Sequence, residues 1–174
     1  MFTLLVGGAR SGKSTGAERL ASRSGAHVVL VATATAGDSE MATRIDAHRR
    51  ARPSTWSTIE EPVHVLDRIA GVDPAAFIVL DCLTLWVSNL WEAGTSDRHV
   101  LTLGAELADA LSGRPGDGAV VSNDVGGGIV PANVLARRYR DLMGSVNTVF
   151  ADRSERSLLM VAGRAVALKA LDDV

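Results

Sequence analysis

Three groups of residues in this chain have the types and spacing that chemistry on a phosphate requires. The first, Gly7-Gly8-Ala9-Arg10-Ser11-Gly12-Lys13-Ser14, has the Walker A form G-x-x-x-x-G-K-[ST]. Glycines let the backbone curl until several N–H groups point at one phosphate. A helix opening near Lys13 would add the positive end of its dipole. In such a loop the lysine bridges the β- and γ-phosphates and the Ser14 hydroxyl ligates Mg²⁺. The second group, Phe77-Ile78-Val79-Leu80-Asp81, is an apolar run ending in an acid, the form of a Walker B strand whose tip holds Mg²⁺ directly or through water. Apolar runs that end in Asp are common, and it is the phosphate loop upstream that gives this one its meaning.

The third group is a histidine among arginines, from Met41 to Pro53. On a helix Arg44, His48 and Arg52 stand at successive i, i+4 positions and share a face. Two readings fit. One is a solvated basic face. The other is a nucleophile: positive neighbours keep the imidazole neutral, and the arginines grip the phosphate it attacks. A histidine can carry a covalent intermediate that divides one transfer into two steps. Charge spacing alone leaves both open.

The elements that must position these groups follow from patterning. Phe2 to Val6 is a buried strand ended by Gly7-Gly8, and Lys13 to about Ser24 is a helix with Gly25 as its stop. His27 to Val31 is a second strand. Asp38 or Ser39 caps a helix that runs to about Ala51 and ends before Arg52-Pro53. A short strand is expected around Thr55 to Thr58, and a helix starting near Pro62. Phe77 to Leu80 is a third strand, followed by helices over Leu83 to Trp91 and Arg98 to Leu111 with Gly94 between them. The loop from Ser112 to Gly118 leads to a fourth strand, Ala119 to Ser122. The glycine-rich loop Asn123 to Pro131 precedes a helix from Asn133 to about Phe150. Ser157 to Leu168, broken by Gly163-Arg164, reads as an antiparallel hairpin. The expected fold is α/β: a three-layer, RecA-like P-loop NTPase. Its central sheet is mainly parallel, with helices on both faces and a C-terminal hairpin. Ligands then lie beyond the carboxyl ends of the strands, at the loops after Val6, Val31, Leu80 and Ser122.

Length and composition exclude other classes. At 174 residues one domain, 1–174, is expected, and such a chain buries about 70% of the surface its unfolded form exposes. With 47% apolar and 22% charged residues the composition is globular and argues against disorder. A net charge of −2 with only 4% aromatics offers little for tracking a nucleic acid. No segment reaches the roughly 18 uninterrupted apolar residues of a membrane span. Met1-Phe2-Thr3 has no basic region, so no signal peptide is expected. A single cysteine, Cys82, fits a reducing, cytoplasmic compartment, and its expected role is that of a small apolar packer. His27, His64 and His99 have no metal-like neighbour at i+2 to i+4 and are expected in core or surface roles.

Taken together the motifs resemble the bifunctional adenosylcobinamide kinase / adenosylcobinamide-phosphate guanylyltransferases of cobalamin synthesis. The resemblance rests on Gly7 to Ser14, Val31-Ala32-Thr33, and Glu40-Met41-Ala42-x-Arg44-Ile45-x-x-His48-Arg49-x-x-Arg52-Pro53. It continues in Asp81 to Leu90, in Ser122 to Pro131, and in Leu135-Ala136-Arg137-x-Tyr139-Arg140-Asp141. It covers nearly the whole chain, in family order. It implies two reactions: phosphorylation of adenosylcobinamide by a nucleoside triphosphate such as ATP or GTP, then transfer of GMP from GTP to give adenosylcobinamide-GDP and pyrophosphate. It implies that GMP travels on His48, with Lys13 and Asp81 also catalytic and Mg²⁺ at Ser14 and Asp81. The implied nucleotide contacts are Gly7, Gly8, Ala9, Arg10, Ser11, Gly12, Lys13, Ser14, Ala32, Thr33, Ala34, Arg49, Arg50, Ala51, Arg52, Glu60 and Asp81. It further implies a homotrimer.

Three positions depart from the family pattern. Ala47 stands where some members have a second histidine, which leaves His48 as the one candidate nucleophile. Asp124 replaces a common glutamate and Gly127 a larger apolar residue. The loop that holds them, with Asn123, is a candidate border of the corrinoid site; a capped turn without a ligand is the other reading of Asn123 and Asp124. Two rivals to the bifunctional reading exist. A simple P-loop small-metabolite kinase would form no covalent enzyme–nucleotide. A non-enzymatic nucleotide-binding module would need partner-docking surfaces beyond the core.

Overall fold

The computed structural model describes residues 1–170. In chain order the elements are β1 (Phe2–Gly7), α1 (Lys13–Ser24), β2 (Val28–Ala32), α2 (Ser39–Ala51), β3 (Ser57–Glu60), α3 (Val65–Ala70) and β4 (Phe77–Asp81). They continue with α4 (Leu83–Glu92), α5 (Asp97–Ser112), β5 (Gly118–Asn123), α6 (Val134–Ala151), β6 (Arg156–Val161) and β7 (Arg164–Leu168). Seven strands form one sheet in the order β3-β2-β4-β5-β1-β6-β7. Every pairing is parallel except the terminal hairpin, β6 with β7.

Alternation along the strands divides the core in two. Phe2, Leu4, Val29, Val31, Ile78, Leu80 and Val120 face helices α3 to α6, against Trp86, Leu107, Met143 and Phe150. Leu5, Val28, Leu30, Phe77, Val79 and Val121 face the other way, onto Ala17 and Ala21 of α1. The small alanines let α1 sit close to the sheet, and this brings the loop before α1 over the strand tips. On the larger face Phe2 meets Phe150 edge-on at 6.1 Å, a geometry worth about 0.5–1.5 kcal/mol beyond area burial. Among the described residues no helix is long and apolar enough to cross a membrane.

The sequence-based boundaries hold to within a residue or two, with informative exceptions. Asp38 caps α2 through Oδ1, which accepts the Met41 N–H at 2.7 Å. Helix α3 begins at Val65 instead of near Pro62. Glu61 Oε1 accepts the N–H groups of both Val63 and His64 at 2.9 Å and holds that stretch in a turn. Ser96 caps α5, accepting from the His99 N–H, and starts the helix at Asp97, one residue early. Strand β3 lies two residues later than expected, where Thr58 and Ile59 pair with Leu30 and Val31 of β2.

Candidate functional site

The phosphate loop joins β1 to α1 across the carboxyl edge of the sheet. Gly12 at φ +97° and Arg10 at φ +56° give the loop its curl. No side chain caps α1, and its first turn carries no acid. Its N–H groups and dipole therefore face outward for an anion. Lys13 is buried, and its ammonium donates to the Gly8 carbonyl at 2.6 Å and to Ser11 Oγ at 3.4 Å. Burial pulls its pKa down, against the opposing pull of Cys82 and Asp81.

Asp81 ends β4, with Ala32 of β2 and Val121 of β5 as its strand neighbours. Burial pushes its carboxyl above the usual range, although His48, the Ser14 hydroxyl, Arg52 and Lys13 all favour the charged form. The Ser14 hydroxyl thus stands near enough to Asp81 to favour its charge, and the two oxygens are the kind of pair that Mg²⁺ takes beside a nucleotide. These two oxygens fit a hard cation that keeps several waters and phosphate oxygens. Among the described residues no cluster of three or more His, Cys, Asp or Glu forms a protein-only metal cage.

Helix α2 brings His48, Arg49 and Arg50, all exposed, to the same end of the sheet. Arg52 is not on the helical face that the i, i+4 spacing predicts. It is the C-cap, in extended conformation at φ −71°, ψ 138°, because Pro53 follows it. The bend carries its half-buried guanidinium into the electrostatic reach of Asp81, Glu60 and Glu18. Ala51 closes α2.

A residue outside the predicted set stands among these groups. Glu18 lies one helical turn beyond Ser14 on α1, half-buried. Its carboxyl is raised by burial, and it feels His48, Asp81 and Arg52. The i, i+4 spacing from Ser14 was the available signal. Glu18 and Asp81 thus both lie within electrostatic reach of His48, where the sequence reading counted only cations.

Behind the loop, polar side chains tie the strand tips together. Thr33 is fully buried; its hydroxyl donates to the Cys82 carbonyl at 2.8 Å and accepts the Cys82 N–H at 2.9 Å. Its hydroxyl thus braces β2 against β4, while Ala32 and Ala34 flank it on the chain. Asn89 of α4 donates to the Thr33 carbonyl at 2.8 Å and to the Pro62 carbonyl at 3.0 Å. Cys82 is buried, with its thiol 3.2 Å from Thr84 Oγ1. Asn123 donates to Thr84 Oγ1 at 2.7 Å, and Asp124 Oδ1 accepts the Gly126 N–H at 2.8 Å in a local turn. The backbone N–H of Asp124 donates to the Gly7 carbonyl at 3.1 Å, so this loop borders the phosphate loop. His27 pairs with Ser57 Oγ at the opposite edge, and His64 precedes α3.

Comparison with known proteins bears on the fold and the family. Two solved structures share the fold: the RadB recombinase (TM-score 0.51, 16% identity, 91% of this chain and 73% of that one) and a prototypical ATPase from the type III secretion system of pathogenic bacteria (TM-score 0.50, 10% identity, 95% and 56%). Curated relatives span almost their full lengths. The chain is 43% identical to the bifunctional adenosylcobalamin biosynthesis protein CobP of Pseudomonas aeruginosa, over 97% of this chain and 98% of that one. It is 36% identical to the bifunctional adenosylcobalamin biosynthesis protein CobU of Escherichia coli, over 97% and 100%. Residues 3–168 match the family model for cobinamide kinase / cobinamide phosphate guanyltransferase. With its phosphate loop, Asp81 and His48 gathered at one end of a P-loop sheet, the chain belongs to the cobinamide kinase / cobinamide phosphate guanyltransferase family.

Proposed function

We propose that residues 1–174 work as one nucleotide-binding and transferase domain. It phosphorylates the hydroxyl of adenosylcobinamide from a nucleoside triphosphate, ATP or GTP. It then passes GMP from GTP through His48 to the new phosphate. In the guanylyl half, an imidazole nitrogen of His48 attacks the α-phosphorus in line. The P–N bond forms as the bond to the β-phosphate oxygen breaks, and pyrophosphate leaves. A phosphate oxygen of adenosylcobinamide phosphate then attacks the same phosphorus, and His48 is released. The products are adenosylcobinamide-GDP and the free enzyme.

The observation that supports this reading is that His48 lies within electrostatic reach of Asp81, the residue that also feels Ser14 and Lys13 of the phosphate loop. Lys13 and the N–H groups of residues Gly7 to Ser14 would hold the β- and γ-phosphates. Arg49, Arg50 and Arg52 would absorb charge on the departing pyrophosphate. Ser14 and Asp81 would hold Mg²⁺, which when bound neutralises charge on the phosphate oxygens. Neutralisation and positioning are most of what phosphoryl transfer needs, so the kinase half can use the same loop. The corrinoid would approach along Asn123 and Asp124. A cytoplasmic homotrimer completes the reading. Exposed Ile129, Val130, Val134 and Leu135 give an apolar surface that association would cover.

The test is incubation with Mg²⁺ and GTP labelled at the α-phosphate, then denaturation and a count of label on the protein. Acid-labile label that is absent from His48→Ala is the expected result. A folded, GTP-binding protein that takes no label would overturn the covalent route and leave a simple kinase.

A further inference from the structure

We infer that the turn at Ala162–Gly163, the tip of the β6–β7 hairpin, positions the phosphate loop, so that nucleotide affinity depends on a segment outside every phosphate-binding motif. The inference rests on the phosphate loop binding a nucleoside triphosphate.

The register puts the turn there. Strand β6 runs parallel to β1 with Met160 opposite Gly7, and the last hairpin pair is Val161 with Arg164. Two residues remain, Ala162 at φ 50° and Gly163 at φ 72°, which is a tight two-residue turn with both centres left-handed. Its amide is used: the Gly163 N–H donates to the Ser11 carbonyl at 2.9 Å. Its backbone is also the floor of the loop, since a methyl group on Gly12 would come within 3.0 Å of the Gly163 Cα. A methyl group on Gly7 would meet the Met160 carbonyl oxygen.

The hydrogen bond sets a direction as well as a distance. A peptide unit is planar and trans, so its C=O and the following N–H point opposite ways. With Ser11 C=O held on the hairpin side, the Gly12 N–H is aimed away from the hairpin, into the curl where a phosphate is cradled. On the other flank the Asp124 N–H holds the Gly7 C=O at 3.1 Å, which orients the Gly8 N–H by the same rule. Ala162, Gly163 and all of β7 are exposed, so the turn contributes no buried side chain and meets the loop through its backbone.

The test compares three variants by GTP and ATP titration and by thermal unfolding. Gly163→Val puts a β-branched residue at positive φ and displaces the amide, and Gly163→Asn tolerates that conformation. Val166→Gly weakens the exposed middle of β7 without touching the turn. Gly163→Val is expected to raise the Kd for both nucleotides about fivefold or more, the effect of losing one backbone hydrogen bond. Gly163→Asn should bind within about twofold of wild type, and so should Val166→Gly whatever its melting temperature. Unchanged affinity in Gly163→Val, or equal weakening in Val166→Gly, would overturn the inference while wild type still bound nucleotide. Failure of wild type to bind either nucleotide would instead overturn the nucleotide reading, and this inference with it. If Gly163→Val does not fold, wild-type amide exchange decides. GTP should slow exchange at Gly163, and an unaltered rate would count against the proposal.

Discussion

Arg49 and Glu60 hold each other. The guanidinium Nε of Arg49 donates to Glu60 Oε1 at 2.8 Å, and its Nη2 reaches the same oxygen. One carboxylate oxygen thus takes two N–H groups. The pair joins the last turn of α2 to the last residue of the edge strand β3, where Glu60 lies beside Ala32 in register. Arg49 follows His48 directly in the chain, so the link ties the end of α2 that carries His48 to the carboxyl end of β3.

Glu60→Gln should therefore separate function from stability. The pair is exposed, and exposed ion pairs contribute little to folding, so the melting temperature should stay within about 2 °C of wild type. The rate of covalent labelling from GTP should fall at least tenfold or so, the scale of a charged hydrogen bond lost or misplaced. A rate equal to wild type would mean that α2 keeps its place without Glu60.

Asp81 presents the opposite balance. Burial outweighs the attraction of His48, Arg52 and Lys13, so its charge costs the folded protein free energy. Asp81→Asn should therefore raise the melting temperature of the metal-free protein. The same variant should lose transfer by about 100-fold or more in Mg²⁺. A variant less stable than wild type would show that Asp81 is held by its neighbours instead of strained by its surroundings.

These relationships also mark how far the residues could be read without coordinates. The phosphate loop was legible because its chemistry is contiguous: Gly7 to Ser14 lie between a strand and a helix in eight consecutive positions. The parallel sheet was legible because Phe2 to Val6 and Phe77 to Leu80 are apolar throughout, as strands covered on both faces must be. The contacts that brace the site were not. Thr33 meets Cys82 because β2 lies beside β4, and Gly163 meets Ser11 because β6 lies beside β1. Strand order decides both, and no local pattern encodes it. The spacing of Arg52 puts it on a helical face, yet Pro53 rules that out. Glu18 was visible at i+4 from Ser14, but half-burial is what gives it meaning.

The hydrogen bonds at the end of β5 predict where a polar deletion is felt most. Ser122 is fully buried, and its hydroxyl donates to Asn147 Oδ1 at 2.5 Å. Asn147 Nδ2 returns a bond to the Asn123 carbonyl at 3.1 Å. Asn147→Ala leaves the Ser122 hydroxyl and the Asn123 carbonyl without these partners. It should cost about 2 kcal/mol, or about 4–8 °C of melting temperature at this chain length. Asp124→Ala removes only an exposed turn contact and should cost less than about 1 kcal/mol. Equal losses in the two variants, measured by thermal unfolding, would refute this ranking.

Asp97 gives the pH dependence its sign. At the start of α5 its Oδ2 accepts Arg138 Nε at 2.7 Å, and its Oδ1 accepts Arg138 Nη2 at 2.7 Å and Trp91 Nε1 at 3.0 Å. Arg138 also lies over the Trp91 ring, 5.0 Å from its centroid, and Trp91 meets Tyr139 edge-on at 5.4 Å. The Arg138 hydrogen bonds, with its charge and the Trp91 N–H, hold the Asp97 carboxyl below its usual range despite slight burial. A depressed carboxyl stabilises the fold above its unfolded pKa, near 3.9, and that contribution is lost as pH falls through the lower folded value. Wild type should therefore be more resistant to urea than Asp97→Asn at pH 7 and pH 5. The gap between their midpoints, followed by tryptophan fluorescence, should close as pH falls below about 4. A gap that persisted undiminished at pH 3 would mean that the carboxylate's charge is not what joins α5, α6 and Trp91.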